Sequence, residues 1–164
     1  MPDYKFVDTH AHLDGEEFND DLPLVIQRAK DSGVGAIFLP GVDASSVASV
    51  MDVCRRYPGY CYPMIGLQPE EAMMRKALVD NASDGSQQPR YIAIGECGLD
   101  FYWSREFEKE QLAAFEEQVK WSVETGLPLM IHCRKAQNEL LHILRIYEKD
   151  LPGGVFHCFT GNRK

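Results

Sequence analysis

Residues 6–14 read FVDTHAHLD, a short apolar strand that runs directly into a turn holding two histidines. In an open, doubly wound α/β sheet, the turn after the first strand commonly carries a glycine-rich loop that binds phosphate. His10 and His12 lie in this turn instead, so the feature that would favour the open sheet is missing. The competing architecture built from the same parts is a (β/α)8 barrel.

The rest of the chain repeats this alternation of short apolar strands and amphipathic helices. The six predicted strands cover residues 5–10, 34–41, 61–69, 91–98, 127–134 and 153–161, and the predicted helices cover 21–33, 43–59, 70–89, 104–126 and 135–153. Such alternation is typical of βαβ units around a parallel sheet that is buried on both faces. No linker or low-complexity tract divides the chain, so we predict one domain over residues 1–164.

The predicted helix ends depend on capping residues. Gly33 ends the first helix and Gly126 the fourth, because glycine readily adopts the backbone conformation that closes a helix. At the start of the second helix the cap is Asp43 or Ser45, and at the start of the fourth it is Ser104.

The composition describes a globular protein with an acidic balance. Its formal net charge of −8 is opposite in sign to that of typical nucleic-acid binders, although bound ions can invert the charge within a site. No apolar run approaches the roughly 18 residues of a membrane span, so no membrane partner is expected. The N-terminus lacks the features of a signal peptide. Five cysteines without a CxxC pair favour a reducing compartment, and we expect the cytoplasm.

Ionisable side chains recur at the carboxyl ends of the predicted strands. They are His10, His12, Glu96, His132 and His157. In parallel α/β folds this end of the strands carries the functional site. Imidazole and carboxylate ligands suit divalent first-row ions, and five ligands exceed what one catalytic ion usually takes from a protein. We therefore predict two divalent ions bridged by Glu96, which would explain why a carboxylate ends a buried strand.

Several other reactive residue types receive simpler interpretations. His142 lies within a helix and is expected to be either solvated or satisfied by a local partner, not a ligand. Cys97, Cys133 and Cys158 each follow a predicted ligand, so strand alternation turns them away from the site, where we expect them to pack as small apolar side chains. The aromatic stretch at 100–103, DFYW, either packs over the end of the strands or stacks on bases.

Basic residues also fall on the loops at this end of the strands. They are Arg105, Arg134, Lys135, Arg163 and Lys164. Their positions make this end more basic than the net charge suggests, so phosphate is an expected ligand.

Four stretches, FVDTHAHLD, GECGLDFYW, LPLMIHCRKA and GGVFHCFTGN, resemble in order and spacing the motifs of the TatD family of metal-dependent deoxyribonucleases. This family lies within the amidohydrolase-like barrels. The resemblance implies an α/β fold of the TIM-type (β/α)8 class, here an incomplete barrel with about six parallel strands. It also implies two divalent ions (Mg, Mn or Zn) and exonucleolytic hydrolysis of phosphodiester bonds in single-stranded DNA or at DNA ends.

The resemblance also implies roles for individual residues. His10 and His12 would hold one ion. His132 and His157 would hold the other. Glu96 would bridge the two ions and act as the catalytic carboxylate. The substrate-binding candidates are Arg134, Lys135, Asp100, Tyr102 and Gln68.

The sequence departs from the family pattern in two places. Gln68 stands where the family usually has a histidine, and an amide can donate a hydrogen bond to phosphate but cannot take a proton. The family's late aspartate, in a Thr-Asp-x-Pro motif, is absent, and we count six strands rather than eight. We therefore expect residues 1–164 to be the N-terminal two-thirds of a TatD-like barrel, truncated at the C-terminus, and a poor nuclease by itself.

Two alternatives remain open at this point. One is a two-metal hydrolase of a small amide, lactone or phosphoester, because fold and metals alone do not select a substrate. The other is an inactive fragment. The identity of the metal, the polarity of an exonuclease and the oligomeric state are not determined by these residues.

Overall fold

The computed structural model describes residues 5–43, 46–66 and 89–159. The chain forms two compact units, which we name the N-terminal unit (Met1–Ile92) and the C-terminal unit (Ala93–Lys164) and describe in turn. One domain over residues 1–164 stays a prediction. Gln68, Arg163 and Lys164 lie outside the described residues, as does nearly all of the third predicted helix.

The N-terminal unit has three described strands and two described α-helices. They are β1 (Phe6–Asp8), α1 (Leu22–Asp31), β2 (Val34–Leu39), α2 (Ser46–Arg56) and β3 (Cys61–Ile65), with a short 3-10 helix at Glu16–Phe18. β2 pairs in parallel with both β1 and β3. Each helix returns the chain to the start of the next parallel strand, which is the βαβ connection predicted from the alternating sequence pattern.

Apolar side chains from the helices and from β2 form the core of this unit. Leu22 and Ile26 are four residues apart on α1 and therefore share one helix face. Together with Val50 of α2, they belong to one buried cluster that includes Ile37 and Leu39 of β2. Removing these side chains from water is the main favourable contribution to the stability of the unit.

Two predicted helix caps of the N-terminal unit can be compared with the structure. Gly33 has a φ of +86° directly after α1, so the predicted helix end is confirmed. At the start of α2, Asp43 Oδ1 accepts a hydrogen bond of 2.9 Å from the Ser46 N–H, and Ser46 Oγ accepts one of 3.2 Å from the Asp43 N–H. This reciprocal pair identifies Asp43 as the cap. The alternative, Ser45, lies outside the described residues.

The C-terminal unit has the same alternating order. Its elements are β4 (Ala93–Asp100), α3 (Glu108–Thr125), β5 (Leu129–Arg134), α4 (Gln137–Ile146) and β6 (Gly154–Phe156). β5 pairs in parallel with both β4 and β6. No helix in the described ranges is long and apolar enough to cross a membrane.

The two ends of α3 differ in how well the sequence predicts them. Gly126 has a φ of +70° and ends the helix as predicted. The predicted cap at Ser104 is wrong, because α3 begins only at Glu108. Ser104 Oγ instead accepts a hydrogen bond of 3.0 Å from the Glu106 N–H, so the hydroxyl closes a local turn before the helix.

Candidate metal centre

Glu96 lies within β4 rather than at its end. The strand continues to Asp100, so the prediction that Glu96 ends the fourth strand is wrong. The pairing of β4 with β5 explains the difference: Ile94 lies opposite Leu129, but Cys97 lies opposite Ile131, so β4 contains one extra residue. Such a register irregularity re-aims a side chain without ending the strand.

Gly95 and Gly98 flank the pair Glu96–Cys97, and close packing requires glycine at both positions. A Cβ atom on Gly95 would lie 2.5 Å from the Met130 Cβ and 2.9 Å from the Met130 carbonyl oxygen. Gly98 has a φ of +140°, and a Cβ atom there would overlap the carbonyl group of His132. Both positions bring β4 unusually close to β5. The GECG motif therefore places Glu96 beside the strand that carries His132.

The carboxylate of Glu96 lies between two imidazole rings. His157 Nε2 lies 2.6 Å from Glu96 Oε1, and His132 Nδ1 lies 3.3 Å from the same oxygen. His157 is held just beyond β6, because its backbone N–H donates a hydrogen bond of 3.1 Å to the Ile131 carbonyl. The Glu96 side chain is only 17% exposed. One carboxylate oxygen and two imidazole nitrogens thus converge within the C-terminal unit, and these donor types fit a divalent first-row ion.

His132 also contacts a second carboxylate. Its Nε2 lies 3.0 Å from Asp100 Oδ2, and Asp100 Oδ1 accepts a hydrogen bond of 2.9 Å from the Tyr102 N–H. Partial burial acts to raise the pKa of Asp100, but the hydrogen bonds from Tyr102 and His132 outweigh it, so the pKa is lowered. Both carboxylate oxygens of Asp100, a predicted substrate-binding residue, therefore already contact other residues of the protein.

Gln111 of α3 fixes the backbone of Asp100. The Asp100 N–H donates to Gln111 Oε1 at 2.9 Å, and Gln111 Nε2 donates to the Asp100 carbonyl at 3.2 Å. We missed Gln111 in the sequence. Its one signal is a polar residue near the start of a helix that follows the GECGLD motif, and this signal is not specific.

In the N-terminal unit, His10 and His12 approach each other directly. Their Nε2 atoms lie 3.1 Å apart, and the ring planes meet at 81°. The turn that carries them is anchored at two points: the His10 N–H donates to Asp8 Oδ1 at 3.1 Å, and the Ala11 N–H donates to the Phe38 carbonyl of β2 at 3.1 Å. The HxH pair therefore presents two imidazole nitrogens at one point, which suits a metal ion.

In the C-terminal unit, the loop after Asp100 brings Tyr102 and Trp103 together with Arg134 in a stacked group. The guanidinium carbon of Arg134 lies 3.6 Å from the centroid of the Tyr102 ring and 5.7 Å from that of Trp103. The two aromatic rings meet edge to face at 4.7 Å. The Phe101 N–H donates to the Arg134 carbonyl at 2.9 Å, which holds this loop against the end of β5. Lys135, which follows Arg134, is exposed and has a φ of +57°.

Arg105, predicted to contribute to a basic loop region, is instead matched by acidic side chains. Its guanidinium donates hydrogen bonds of 2.7 and 2.9 Å to Glu108 and one of 2.6 Å to Glu139. These hydrogen bonds raise the pKa of Arg105, first through Glu108 and then through Glu139. Arg105 therefore adds less positive charge to this loop region than its position alone indicates, because two carboxylates pair with it.

The cysteines beside the predicted ligands do not share one environment. Cys97 is buried, and burial strongly raises the pKa of its thiol. Cys133 is half-buried, and Cys158 is exposed. The prediction of packing is thus confirmed for Cys97 and wrong for Cys158, because β6 ends at Phe156 and strand alternation no longer applies beyond it. His142 is exposed on α4, as predicted.

Parallel βα units with imidazole and carboxylate side chains around the strand ends are typical of metal-dependent hydrolases. The sequence matches the family described as TatD related DNase over residues 7–164, so the chain belongs to that family. It is 32% identical over 160 residues to the 3'-5' ssDNA/RNA exonuclease TatD of Edwardsiella piscicida, covering 96% of this chain. It is also 35% identical over 156 residues to the metal-dependent hydrolase YabD of Bacillus subtilis, which is named as uncharacterized, covering 94% of this chain.

A solved structure supports the fold assignment. The crystal structure of YJJV, a TatD homolog from Escherichia coli, is 29% identical and superposes with a TM-score of 0.81 over 96% of this chain. The predicted fold class, a TIM-type α/β fold with about six parallel strands, is confirmed. The chain spans 61% of the length of the relatives from E. piscicida and B. subtilis and of the E. coli homolog.

Proposed function

We propose that the protein hydrolyses phosphodiester bonds of single-stranded nucleic acid, acting from an end, with the help of divalent metal ions. The observation that carries this proposal is the convergence of His132 and His157 on Glu96 Oε1 in a chain of the TatD family. The relative from E. piscicida is named as a 3'-5' ssDNA/RNA exonuclease, which supports the substrate class and the exonucleolytic mode.

We assign the metal ligands in two sets. His10 and His12 hold one ion of the Mg, Mn or Zn type. His132 and His157 would hold the other. Glu96 would bridge the two ions and act as the catalytic carboxylate. When bound, such ions polarise the phosphate and lower the pKa of water. The contacts already present in each unit support these sets: the Nε2 atoms of His10 and His12 lie 3.1 Å apart, and His132 and His157 each place a nitrogen within 3.3 Å of Glu96 Oε1.

Arg134 is the proposed phosphate ligand, together with Lys135. Stacking on Tyr102 uses the flat face of the Arg134 guanidinium. Its N–H groups lie in the plane of the guanidinium, so they remain directed outward and can donate to phosphate oxygens. We keep Gln68 as a further substrate-binding candidate, on the family pattern alone. For Asp100, the contact with His132 supports an orienting role rather than direct contact with substrate.

A second candidate function is hydrolysis of a small amide, lactone or phosphoester at the same metal centre. It is supported by the B. subtilis relative, whose name specifies a metal-dependent hydrolase without a substrate. We also propose that the protein works in the cytoplasm, since all five of its cysteines are free.

One panel of assays separates these candidates. The protein is incubated with labelled single-stranded DNA, single-stranded RNA, duplex DNA, and small esters and lactones, each with Mg²⁺, Mn²⁺ or Zn²⁺. We expect progressive shortening of the single strands that stops when EDTA removes the ions. His142→Ala, which changes an exposed histidine on α4, serves as the matched control and should remain active. Turnover of only the small substrates would contradict the nuclease proposal.

A further inference from the structure

Trp103 is the most exposed large apolar side chain among the described residues, at 82%. An aromatic ring of this size is costly to leave in water, since it forgoes the free energy gained by burial. It lies on the loop directly after β4, three residues beyond Asp100. The position therefore places a large, flat, accessible surface beside the candidate metal ligands of the C-terminal unit.

The neighbouring side chains hold this loop in place. Tyr102 contacts Trp103 edge to face at 4.7 Å, and Arg134 covers the Tyr102 ring at 3.6 Å. The Tyr102 N–H donates a hydrogen bond to Asp100 Oδ1, and Asp100 Oδ2 contacts His132. Arg134 covers one face of the Tyr102 ring, which is 47% exposed, so the larger accessible aromatic surface of the group is the indole of Trp103, at 82%.

We infer that Trp103 is a nucleobase-stacking subsite, supported by Tyr102, with Arg134 beside it to bind the phosphate of the same nucleotide. This inference rests on the proposed nuclease function and names the part of the substrate that the loop binds. Indole stacks on any base, and the positive charges of Arg134 and Lys135 complement the phosphate backbone. Bases in a duplex are already stacked on one another, so the subsite favours single strands.

Intrinsic fluorescence tests the subsite directly, because the chain has two tryptophans in different environments. Trp121 is 2% exposed in α3, whereas Trp103 is exposed. A short oligodeoxyadenylate is added in EDTA, so that binding is measured without cleavage. We expect it to quench the Trp103 emission, while an abasic oligonucleotide of the same length, with the same phosphates, leaves the emission unchanged. Trp103→Phe should abolish the quenching but retain binding.

The affinity of the same oligodeoxyadenylate gives the second measurement. We expect Trp103→Ala to weaken binding about tenfold, to the level of the abasic oligonucleotide, as removal of a stacking side chain does elsewhere. Phe107→Ala is the matched control, since Phe107 is a 60% exposed aromatic residue four positions further along the chain, and should bind as the unmodified protein does. Equal affinity of Trp103→Ala and the unmodified protein, or an equal loss in Phe107→Ala, would overturn the inference.

The two proposals fail in different ways in this experiment. Quenching and base-dependent binding without cleavage in the presence of ions would contradict the nuclease function and leave the subsite intact. Cleavage of single strands with the KM unchanged in Trp103→Ala would contradict the subsite and leave the nuclease function intact. Absence of oligonucleotide binding, together with turnover of a small ester or lactone, would contradict both.

Discussion

The candidate metal ligands of the two units are held in different ways. In the N-terminal unit, two histidines two residues apart contact each other through their Nε2 atoms, on a turn beyond β1. In the C-terminal unit, His132 and His157 come from two different strand ends and contact one carboxylate, Glu96. The first pair is local in sequence, whereas the second set depends on the pairing of three strands.

We infer from this difference that the C-terminal set is the better organised candidate metal site. Glu96, the proposed bridging ligand, is already in contact with both histidines of the C-terminal set. His132 is further held by Asp100, and such outer contacts typically change metal affinity by about 10- to 100-fold. We therefore expect the C-terminal unit to bind its ion more tightly than the HxH pair does.

Glu96→Gln should have the largest effect. The amide keeps the shape of the side chain but replaces an anionic ligand by a neutral one. We expect ion affinity to fall by more than about 100-fold, beyond the range of outer-contact changes, and nuclease activity to fall to background. Titration calorimetry with Mn²⁺ and an oligonucleotide assay measure the two effects.

The matched control for this change is Glu148→Gln, which alters an exposed glutamate in the C-terminal unit. It should leave both ion binding and activity unchanged. If Glu96→Gln still bound two ions per chain with unaltered affinity, Glu96 would not be the bridging ligand.

His157→Ala and His12→Ala test whether the C-terminal set binds its ion more tightly than the HxH pair does. His157 contacts the carboxylate of Glu96, whereas His12 is exposed and contacts a second imidazole. We expect His157→Ala to remove the tighter ion-binding event and His12→Ala to remove only the weaker one. Calorimetric titration of both variants with Mn²⁺ resolves the two events. The reverse order of losses would show that the HxH pair is the tighter site.

Asp100→Asn should have a smaller effect on the same site. Asp100 contacts His132, a proposed ligand, so we expect a loss of about tenfold in ion affinity while binding still occurs. Gln111→Ala should act in the same direction and less strongly, because Gln111 holds the Asp100 backbone. Imidazole nitrogen shifts of His132, measured by NMR without metal, should change in Asp100→Asn but not in the exposed control Asp150→Asn. Unchanged shifts and affinity would rule out an orienting role.

The sequence predicts much of this arrangement because fold and ligand types depend on local patterns. Short apolar runs mark the six strands of the described ranges, and Gly33 and Gly126 end their helices where expected. Strand ends are less predictable. β4 runs past Glu96 because it gains an extra residue opposite β5, which is a property of the pair of strands rather than of either one.

The contacts that organise the site are not predictable in the same way. Asp100, whose carboxylate contacts His132, lies 32 residues before that histidine in the sequence. Glu139, which pairs with Arg105, lies 34 residues after that arginine. Such contacts arise only when the strands and helices are packed. Residue type and position near a strand end therefore predict the candidate metal ligands. The contact of Gln111 with Asp100 and the pairing of Arg105 with two carboxylates are visible only in the folded structure.

Arg134→Ala should affect substrate binding without affecting metal. Its guanidinium stacks on Tyr102, and its charge also helps to lower the pKa of Asp100. We expect the KM for a single-stranded oligonucleotide to rise about tenfold, as expected for losing a charge-assisted hydrogen bond, with metal content unchanged. Arg145→Ala, at an exposed arginine of α4, is the control. Unaltered kinetics would leave Arg134 with a packing role alone.

The smallest effect concerns the thiols, which differ in burial along the chain. In the N-terminal unit, burial raises the pKa of Cys54 to about 12 and that of Cys61 to about 11. Their proton is held more tightly in the folded chain than in the unfolded one, so they stay protonated while the pH rises past the ordinary thiol value of about 8.5. Cys158 of the C-terminal unit is exposed. Iodoacetamide at a pH near 9, followed by mass spectrometry, should therefore modify Cys158 first and leave Cys54 and Cys61 protected until denaturant is added, without loss of ion binding. Early modification of Cys54 in the folded protein would show that the N-terminal core is not closed around it.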